Sequence, residues 1–334
     1  MLVRPRYSGP KFFRPSPKFL LNFAADKTLD SRVTFTRASS GTYFDASGVM
    51  QTASTDEPRF THDPATLQSL GLLIEEARTN LLTYSEEFDN GAWVKSGGVS
   101  VSANAASAPD GTTTGDTISG ATGTTGNPSG VPSDILYMAV TPSVSTTYTA
   151  SLWVKSAPSS SATTARLTIW NAYTGAISNV VFTPTATWTR VEVSLTTGAS
   201  VSTIQYRLGN ADGSLCIWGA QLEAGSFPTS YIKTTSSTVT RAAGSASMTG
   251  ADFSDWYNVP AGTFVVDVVA RSGETILTCG GTTITADYTG RKKYAVSYSS
   301  DQSASSLVLG DGEFVSVSYY PTALSSAWQS YLTS

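Results

Sequence analysis

The sequence predicts an all-β protein that consists of a jelly-roll β-sandwich, a smaller β-sandwich and an extended N-terminal region. Charged residues make up only 14% of the 334 residues, whereas long helices depend on Glu, Lys and Arg. Val, Thr, Tyr and Trp are frequent, and these residues favour strands. Short apolar segments alternate with turn residues over most of the chain, which is typical of a β-sandwich.

Bulk properties exclude several classes of function. The net charge of −4 argues against a general nucleic-acid partner. No run of 18 apolar residues occurs, so we expect no membrane insertion. Two cysteines, Cys216 and Cys279, are too few for a disulfide-held secreted fold. Two buried thiols are the favoured interpretation, and one bridge is the alternative.

Residues 1–30 are predicted to be an extended region that anchors the protein to a partner. Four prolines before residue 18 block a helix, and the segment cannot bury a core of its own. A disordered tail is the alternative, but such a tail has little use for large aromatic side chains. The candidate anchoring residues are basic or aromatic: Arg4, Arg6, Lys11, Phe12, Phe13, Arg14 and Lys18.

Residues 31–82 are predicted to be a short β-rich region that connects the anchor to the next domain. Asp45 to Gly48 form a turn signal between two apolar pairs, which indicates a hairpin. Further on, Glu75 and Glu76 follow an apolar segment that reads as a strand.

Several blocks of sequence resemble virion surface proteins of tailed bacteriophages, of the tail fibre, spike or head fibre type. The blocks are residues 35–43 (FTRASSGTY), 58–64 (PRFTHDP), 71–82 (GLLIEEARTNLL), 218–225 (WGAQLEAG) and 228–232 (PTSYI). The resemblance covers about residues 31–270. It implies a jelly roll similar to carbohydrate-binding domains, and a location on the virion surface after assembly in the host cytoplasm.

Residues 83–236 fit a jelly roll without that resemblance. Segment 215–222 is predicted to be the strand that closes the domain, with Gly219 at a bulge or at a close approach of the backbone. Residues 105–133 read as loop with a strand near Asp116 to Ile118, because the segment is rich in Gly, Thr and Ser. The other predicted strands are 99–103, 148–155, 165–170, 180–182, 189–195, 203–208 and 215–222.

Residues 237–334 are predicted to be a small β-domain with a terminal helix at 321–333. The domain resembles a shortened lectin-like sandwich, as found at the ends of similar phage proteins. Because it is small and rich in aromatic residues, we expect neighbouring copies to complete its core. A homo-oligomer, most simply a trimer, is therefore predicted.

Strand parity supplies the candidate binding site. Alternate residues of a strand point to opposite faces of the sheet. In each central strand, the apolar residues at alternate positions are assigned to the core, and the residues between them then face outward. If these strands share one sheet, its outer face combines aromatic rings with planar polar groups, which suits a sugar. An oligomer interface, or packing against residues 31–82, is the alternative. The candidate residues are Trp153, Lys155, Arg166, Trp170, Gln205, Arg207 and Trp218.

No cofactor is expected, apart from a structural Ca²⁺ of the kind that jelly rolls of this type often hold. Calcium needs several oxygen ligands, and the candidates are Asp110, Asp116 and Glu223. Solvated loop carboxylates are the alternative interpretation.

The sequence argues against an enzyme. His62 is the single histidine, which excludes histidine-rich zinc sites and weakens a Ser-His-Asp triad. Glu75 and Glu76 are adjacent in a strand and would face opposite ways. The leading hypothesis is a virion adhesin that binds host cell-surface polysaccharide and contacts other capsid or tail proteins. A purely structural capsid-decoration or tail protein is the first alternative, and a polysaccharide depolymerase is the second.

Overall fold

A computed structural model describes residues 15–123, 134–158, 160, 162–300 and 302–334. The first strands are β1 (Phe19–Leu21), β2 (Thr34–Thr36), β3 (Gly41–Phe44), β4 (Met50–Ala53), β5 (Phe60–His62), β6 (Ser69–Ile74), β7 (Arg78–Asn80), β8 (Val94–Lys95), β9 (Ser100–Ala106), β10 (Gly115–Ser119) and β11 (Leu136–Val140). The next are β12 (Thr147–Ser156), β13 (Ala165–Asn171), β14 (Ile177–Phe182), β15 (Thr189–Thr196), β16 (Ile204–Gly209), β17 (Leu215–Ala224), β18 (Val239–Arg241) and β19 (Ser245–Thr249). The last are β20 (Gly262–Ala270), β21 (Thr275–Cys279), β22 (Thr282–Thr285), β23 (Gly290–Tyr298), β24 (Ser306–Leu309) and β25 (Gly312–Tyr320). The described residues also form the short helices α1 (Phe23–Asp26), α2 (Gly250–Ser254) and α3 (Ser326–Thr333).

The protein is all-β, as the sequence predicts, and it divides into two compact units. Unit 1 comprises residues 1–34, 70–74 and 245–334, and unit 2 comprises residues 35–69 and 75–244. Within the described part of the chain, no helix is both long and apolar enough to cross a membrane. The two cysteines are free and buried.

Unit 2 contains a jelly-roll sandwich of two five-stranded antiparallel sheets. Sheet I has the strand order β15-β12-β17-β10-β9, and sheet II has the order β14-β13-β16-β11-β8. Their inner faces enclose one apolar core, to which Leu152, Leu167 and Ile217 belong. The predicted core-facing parity of the central strands is therefore confirmed.

The bulge predicted at Gly219 is confirmed. The register between β12 and β17 shifts between Ser151 and Trp153, and Gly219 adopts a positive φ of 65°. An added Cβ would lie 3.2 Å from the Trp153 ring and 3.3 Å from Tyr231. Only glycine combines this backbone conformation with such a close approach.

Unit 1 is built around two further sheets. One contains the path β23-β20-β25-β6, with β1 paired to β25, and the other contains β19-β24-β21-β22. Phe264, Val317 and Tyr319 are fully buried in this unit. Stacking of Phe19 on Trp256, with ring centroids 4.4 Å apart, ties the early strand into the same core.

The segments that make up unit 1 do not follow the expected domain boundaries. Phe19, Leu21 and Phe23 are each at most 3% exposed, and β1 pairs with β25 from Phe19↔Tyr319 to Leu21↔Val317. Residues 19–26 are thus part of a folded unit rather than of an extended anchor. Residues 70–74 join the same unit instead of forming one region with the rest of 31–82.

Of the predicted anchor residues, only Lys18 lies within the described residues. Its backbone N–H donates to the Tyr319 carbonyl at 2.8 Å, and its side chain is exposed. Arg4, Arg6, Lys11, Phe12, Phe13 and Arg14 lie outside the described residues.

Candidate functional site

The seven predicted site residues do not share one face. Trp153 and Lys155 on β12, and Trp218 on β17, belong to sheet I, whereas the other four lie on β13 and β16 of sheet II. The assumption that these strands form one sheet is therefore wrong. Alternation within a strand shows which side chains avoid the core, but it cannot show to which layer of a sandwich the strand belongs.

The outer face of sheet I, which points away from the sandwich core, is covered by other residues of the chain. Trp153 and Trp218 form an aromatic cluster with Met50 and Tyr231. The Trp218 and Tyr231 rings are 4.4 Å apart, and Trp218 is only 1% exposed. Residues of 35–69 therefore cover this face, as the alternative interpretation of the sequence proposed.

The third predicted residue on sheet I, Lys155, lies beside that cluster. It is half-buried, and its ammonium lies 4.6 Å from the centroid of the Trp188 ring. The Trp188 Nε1–H donates to the Ser107 carbonyl at 2.9 Å. This cation–π contact closes the edge of the covered face.

A buried charge cluster holds the same region together. Arg59 donates to Glu75 at 2.8 Å and to the Thr42 carbonyl at 3.0 Å, and Arg241 lies 3.6 Å from Glu75. Burial by itself would raise the pKa of Glu75, but Arg59 and Arg241 overcome it and lower the pKa to about 2.

Arg37 completes that cluster and is held by carbonyl groups. Its guanidinium donates to the carbonyls of Ser39 at 2.9 Å, Glu57 at 3.0 Å and Ser54 at 2.6 Å. Burial, together with the neighbouring Arg59, lowers the pKa of Arg37 to about 10. Several blocks that carry the phage resemblance thus supply a structural cluster.

The outer face of sheet II holds the other four predicted residues in register. One row across the sheet reads Val94, Tyr137, Arg207, Thr168 and Asn179. The next row reads Ala139, Gln205, Trp170 and Ile177. A third row contains Gly209, Arg166 and Val181. At about 4.8 Å between neighbouring strands, the first row spans roughly 19 Å.

Arg207, Gln205 and Trp170 form the centre of this face. The Arg207 guanidinium carbon lies 3.9 Å from the centroid of the Trp170 ring, and its Nε–H donates to Gln205 Oε1 at 2.8 Å. Burial lowers the pKa of Arg207 to about 10, with Tyr137 acting in the opposite direction. Arg207 is fully buried, and Trp170 and Gln205 are 7% and 8% exposed.

Accessible groups surround that centre. Tyr137 and Arg166 are half-buried, and Asn179 is exposed. Tyr173, in the β13–β14 turn, is 62% exposed. Sequence reasoning missed Tyr137, because no strand was predicted over residues 119–147, although residues 135–140 (ILYMAV) are a recognisable apolar segment.

The outer face of sheet II is rich in hydrogen-bond donors. The Trp170 Nε1–H and the Arg166 Nε–H are withdrawn from solvent and have no acceptor. Both side chains stand on the same side of β13, four residues apart. Among the described positions in the three rows there is no Asp or Glu. A ligand that offers acceptors to this face would complement it.

The predicted calcium ligands do not form a common site. Asp116 accepts backbone N–H groups from Phe88 at 2.9 Å and Asn104 at 2.8 Å, and burial raises its pKa to about 6. Glu223 accepts from Thr229 and Gln221. Asp116 lies opposite Ile217, and Glu223 lies six residues further along β17, about 20 Å away at 3.3 Å per residue.

Asp110 is also engaged locally, because it accepts from the backbone and the hydroxyl of Thr112. Across the described residues, no group of three His, Cys, Asp or Glu side chains is arranged to hold a metal ion. The three carboxylates therefore do not fit the oxygen cage that Ca²⁺ requires.

The residues considered for catalysis are engaged in the fold. His62 is buried, and its Nδ1 lies 3.2 Å from the Phe44 carbonyl. Glu76 pairs with Arg78, and Glu75 belongs to the buried charge cluster. None of these side chains is placed beside another as a nucleophile and base would be.

No family model matches the chain, and no curated protein matches it. Among solved structures, a family 16 carbohydrate-binding module is 18% identical, with a TM-score of 0.32, over 43% of this chain and 99% of its own. The xylan-binding domain CBM22-1 of Paenibacillus barcinonensis is 17% identical, with a TM-score of 0.35, over 46% of this chain and 99% of its own. A family 11 module of Clostridium thermocellum is 13% identical, with a TM-score of 0.26, over 48% of this chain and 98% of its own.

The strand order and register of this chain define the class of protein by themselves. It is an all-β protein in which one unit is a jelly-roll sandwich with a covered outer face on sheet I and a polar, aromatic outer face on sheet II. The other unit is a smaller β-structure completed by residues from the first part of the chain.

Proposed function

We propose that the protein binds a glycan on the outer face of sheet II and does not cleave it. The observation that carries this proposal is the face itself, in which accessible Tyr137, Arg166 and Asn179 lie in register around the Arg207–Trp170 contact. Aromatic rings beside planar hydrogen-bonding groups are what recognition of a sugar requires.

The accessible residues of this face suit a sugar. Tyr137 and Tyr173 offer rings for the C–H face of a pyranose, and Arg166 and Asn179 offer planar polar groups for hydroxyls or acidic substituents. The contact between Arg207 and Trp170 fixes the centre of the face, so that little side-chain conformational entropy is lost on binding.

The test is binding of the full chain to soluble polysaccharides, measured by affinity electrophoresis and calorimetry. The probes are xylan, a mixed-linkage β-glucan and polygalacturonate. Tyr137→Ala and Arg166→Gln should each weaken binding about two- to tenfold. Tyr43→Ala removes a half-buried tyrosine from β3 and serves as the matched control.

Equal binding by wild type and by both variants would refute this site. Release of reducing ends from any bound polysaccharide would instead favour the depolymerase. If no polysaccharide binds, the purely structural alternative is favoured, since the buried state of Arg207, Gln205 and Trp170 agrees with packing.

We further propose that the glycan belongs to a host cell surface and that the protein is part of a phage virion. This step depends on the sequence blocks at 35–43, 58–64 and 71–82. Its partners would then be other capsid or tail proteins. Mass spectrometry of purified particles, followed by antibody labelling in electron micrographs, tests the proposal, and particles that lack the protein would refute it.

A further inference from the structure

A second candidate site lies on unit 1, at the turn between β22 and β23. Tyr288 occupies this turn and is 56% exposed. A tyrosine ring exposed in a turn contributes little to folding, and its face is available for a ligand to stack on.

Gly290 allows the Tyr288 ring to lie against the backbone. Gly290 has a positive φ of 126°, and an added Cβ would come within 2.9 Å of the Tyr288 ring carbon Cε1. The first residue of β23 therefore has to be small for the ring to take this position. A ring held in place before binding loses little conformational entropy when a ligand stacks on it.

Charged groups flank the ring. Lys292 donates to both carboxylate oxygens of Asp287, at 2.7 and 2.8 Å, and the two side chains are 42% and 67% exposed. An exposed ion pair of this kind adds little to stability. It nevertheless places acceptors and donors next to each other, as the neighbouring hydroxyls of a pyranose require.

Tyr294 adds a third polar group to the same cluster. Its side chain is 9% exposed, and its hydroxyl interacts with the Asp287 carboxylate. Burial and the nearby Asp287 raise the pKa of Tyr294, and the Lys292 ammonium lies 5.1 Å from its ring centroid. Lys292 and Tyr294 stand on one side of β23, the side on which the Tyr288 ring meets Gly290.

We propose that this turn binds a pyranose unit of a neutral glycan. The sugar C–H face stacks on Tyr288, and its hydroxyls exchange hydrogen bonds with Asp287 and Lys292. A uronate carboxylate would have to compete with Asp287 for the Lys292 ammonium, so the cluster favours uncharged sugars. The site lies in unit 1 and stands independently of the face proposed on sheet II.

The test uses a local readout on the full chain. Acetylation of each lysine is followed by mass spectrometry with and without methyl glucoside, galactoside or mannoside, and with methyl galacturonoside. At least one neutral glycoside should slow acetylation of Lys292 by about two- to tenfold. Acetylation of Lys27, an exposed lysine of the same unit, should not change.

Tyr288→Ala should abolish the protection of Lys292, while Tyr331→Ala, which removes another exposed tyrosine of unit 1, should retain it. Protection that persists in Tyr288→Ala would overturn the proposal. So would protection by the galacturonoside alone, or acetylation of Lys292 that no glycoside slows. None of these outcomes depends on binding to sheet II, because the readout is a lysine of unit 1.

Discussion

At the scale of single residues, the structure reverses the role expected for two tryptophans. Trp153 and Trp218 alternate with core residues along their strands, so the sequence places them on an outer face. That face is covered, and both rings are buried within an aromatic cluster. A residue that faces away from one core can still lie in a second one.

We therefore expect Trp218→Ala to reduce the free energy of unfolding by about 3–5 kcal/mol, as truncation of a buried aromatic does. Denaturant unfolding at neutral pH measures it. Tyr173→Ala, at a 62% exposed turn position, is the matched control and should change stability by less than about 0.5 kcal/mol. Equal stabilities of the two variants would show that Trp218 is not buried.

The lowered pKa of Glu75 makes the stability of the protein depend on pH. Burial opposes ionisation of Glu75, but Arg59 and Arg241 lower its pKa to about 2, from an ordinary value of 4.5. A lowered folded-state pKa contributes stability that is present above pH 4.5 and is lost as the pH falls towards 2. Wild type should therefore lose stability over this window.

Glu75→Gln should be less stable by about 3–5 kcal/mol at neutral pH, because buried arginines lose their carboxylate. It should also lose part of the pH dependence between pH 4.5 and 2. Unfolding curves at several pH values measure both effects. Glu192→Gln, an exposed glutamate on β15, is the control, and an identical loss in both variants would contradict the role of Glu75.

At the scale of elements, β17 organises unit 2 because it pairs with β12 on one side and β10 on the other. Its bulge at Gly219 changes which side chains face inward. Trp218 points outward before the bulge, while Ala220 and Leu222 return to the core after it. A glycine within an otherwise apolar strand was enough to predict this irregularity.

Gly219→Ala should cost about 1–3 kcal/mol, since it forces a side chain into a left-handed backbone conformation and against Trp153 and Tyr231. Gly198→Ala is the matched control, because an added Cβ there meets nothing within 4 Å. Thermal or denaturant unfolding of the two variants measures the difference. Equal effects at the two positions would contradict the bulge as a source of the constraint.

At the scale of the whole molecule, the chain supplies the residues that complete its smaller unit. The sequence suggested that neighbouring copies bury the aromatic residues of 237–334. Instead, Trp256 and Tyr320 are buried within one chain, with Phe19 and Phe23 in the same unit. A trimer stays a prediction, to be measured by sedimentation, but the size of this domain no longer requires it.

Two truncations separate anchoring from folding. Removing residues 2–25 deletes Phe19, Leu21 and Phe23, which are buried, and should destabilise unit 1. Removing residues 2–14 keeps these buried residues and β1, so it should destabilise unit 1 less than the longer deletion. Thermal unfolding measures both truncations, and a 2–25 deletion as stable as full-length protein would contradict the packing of β1. Incorporation of the 2–14 deletion into particles then tests the anchor.

Local properties of the sequence were enough to predict the fold class, the inward-facing residues of the central strands and the irregularity at Gly219. These properties follow from local composition, alternation and backbone conformation. The sequence also predicted that four residues face away from the core: Arg166, Trp170, Gln205 and Arg207. Their neighbours on β13 and β16 are core residues, as that prediction requires.

The folded structure was needed to show which strands share a sheet, and hence that Trp153 and Trp218 are separated from Trp170. It also decided that residues 19–26 belong with residues 245–334 and that Arg37, Arg59 and Arg241 surround Glu75. The physical reason is common to all three. Pairing between distant strands, and packing of one segment over another, depend on contacts between residues far apart in the chain. Such contacts leave no periodic pattern in the sequence of either segment.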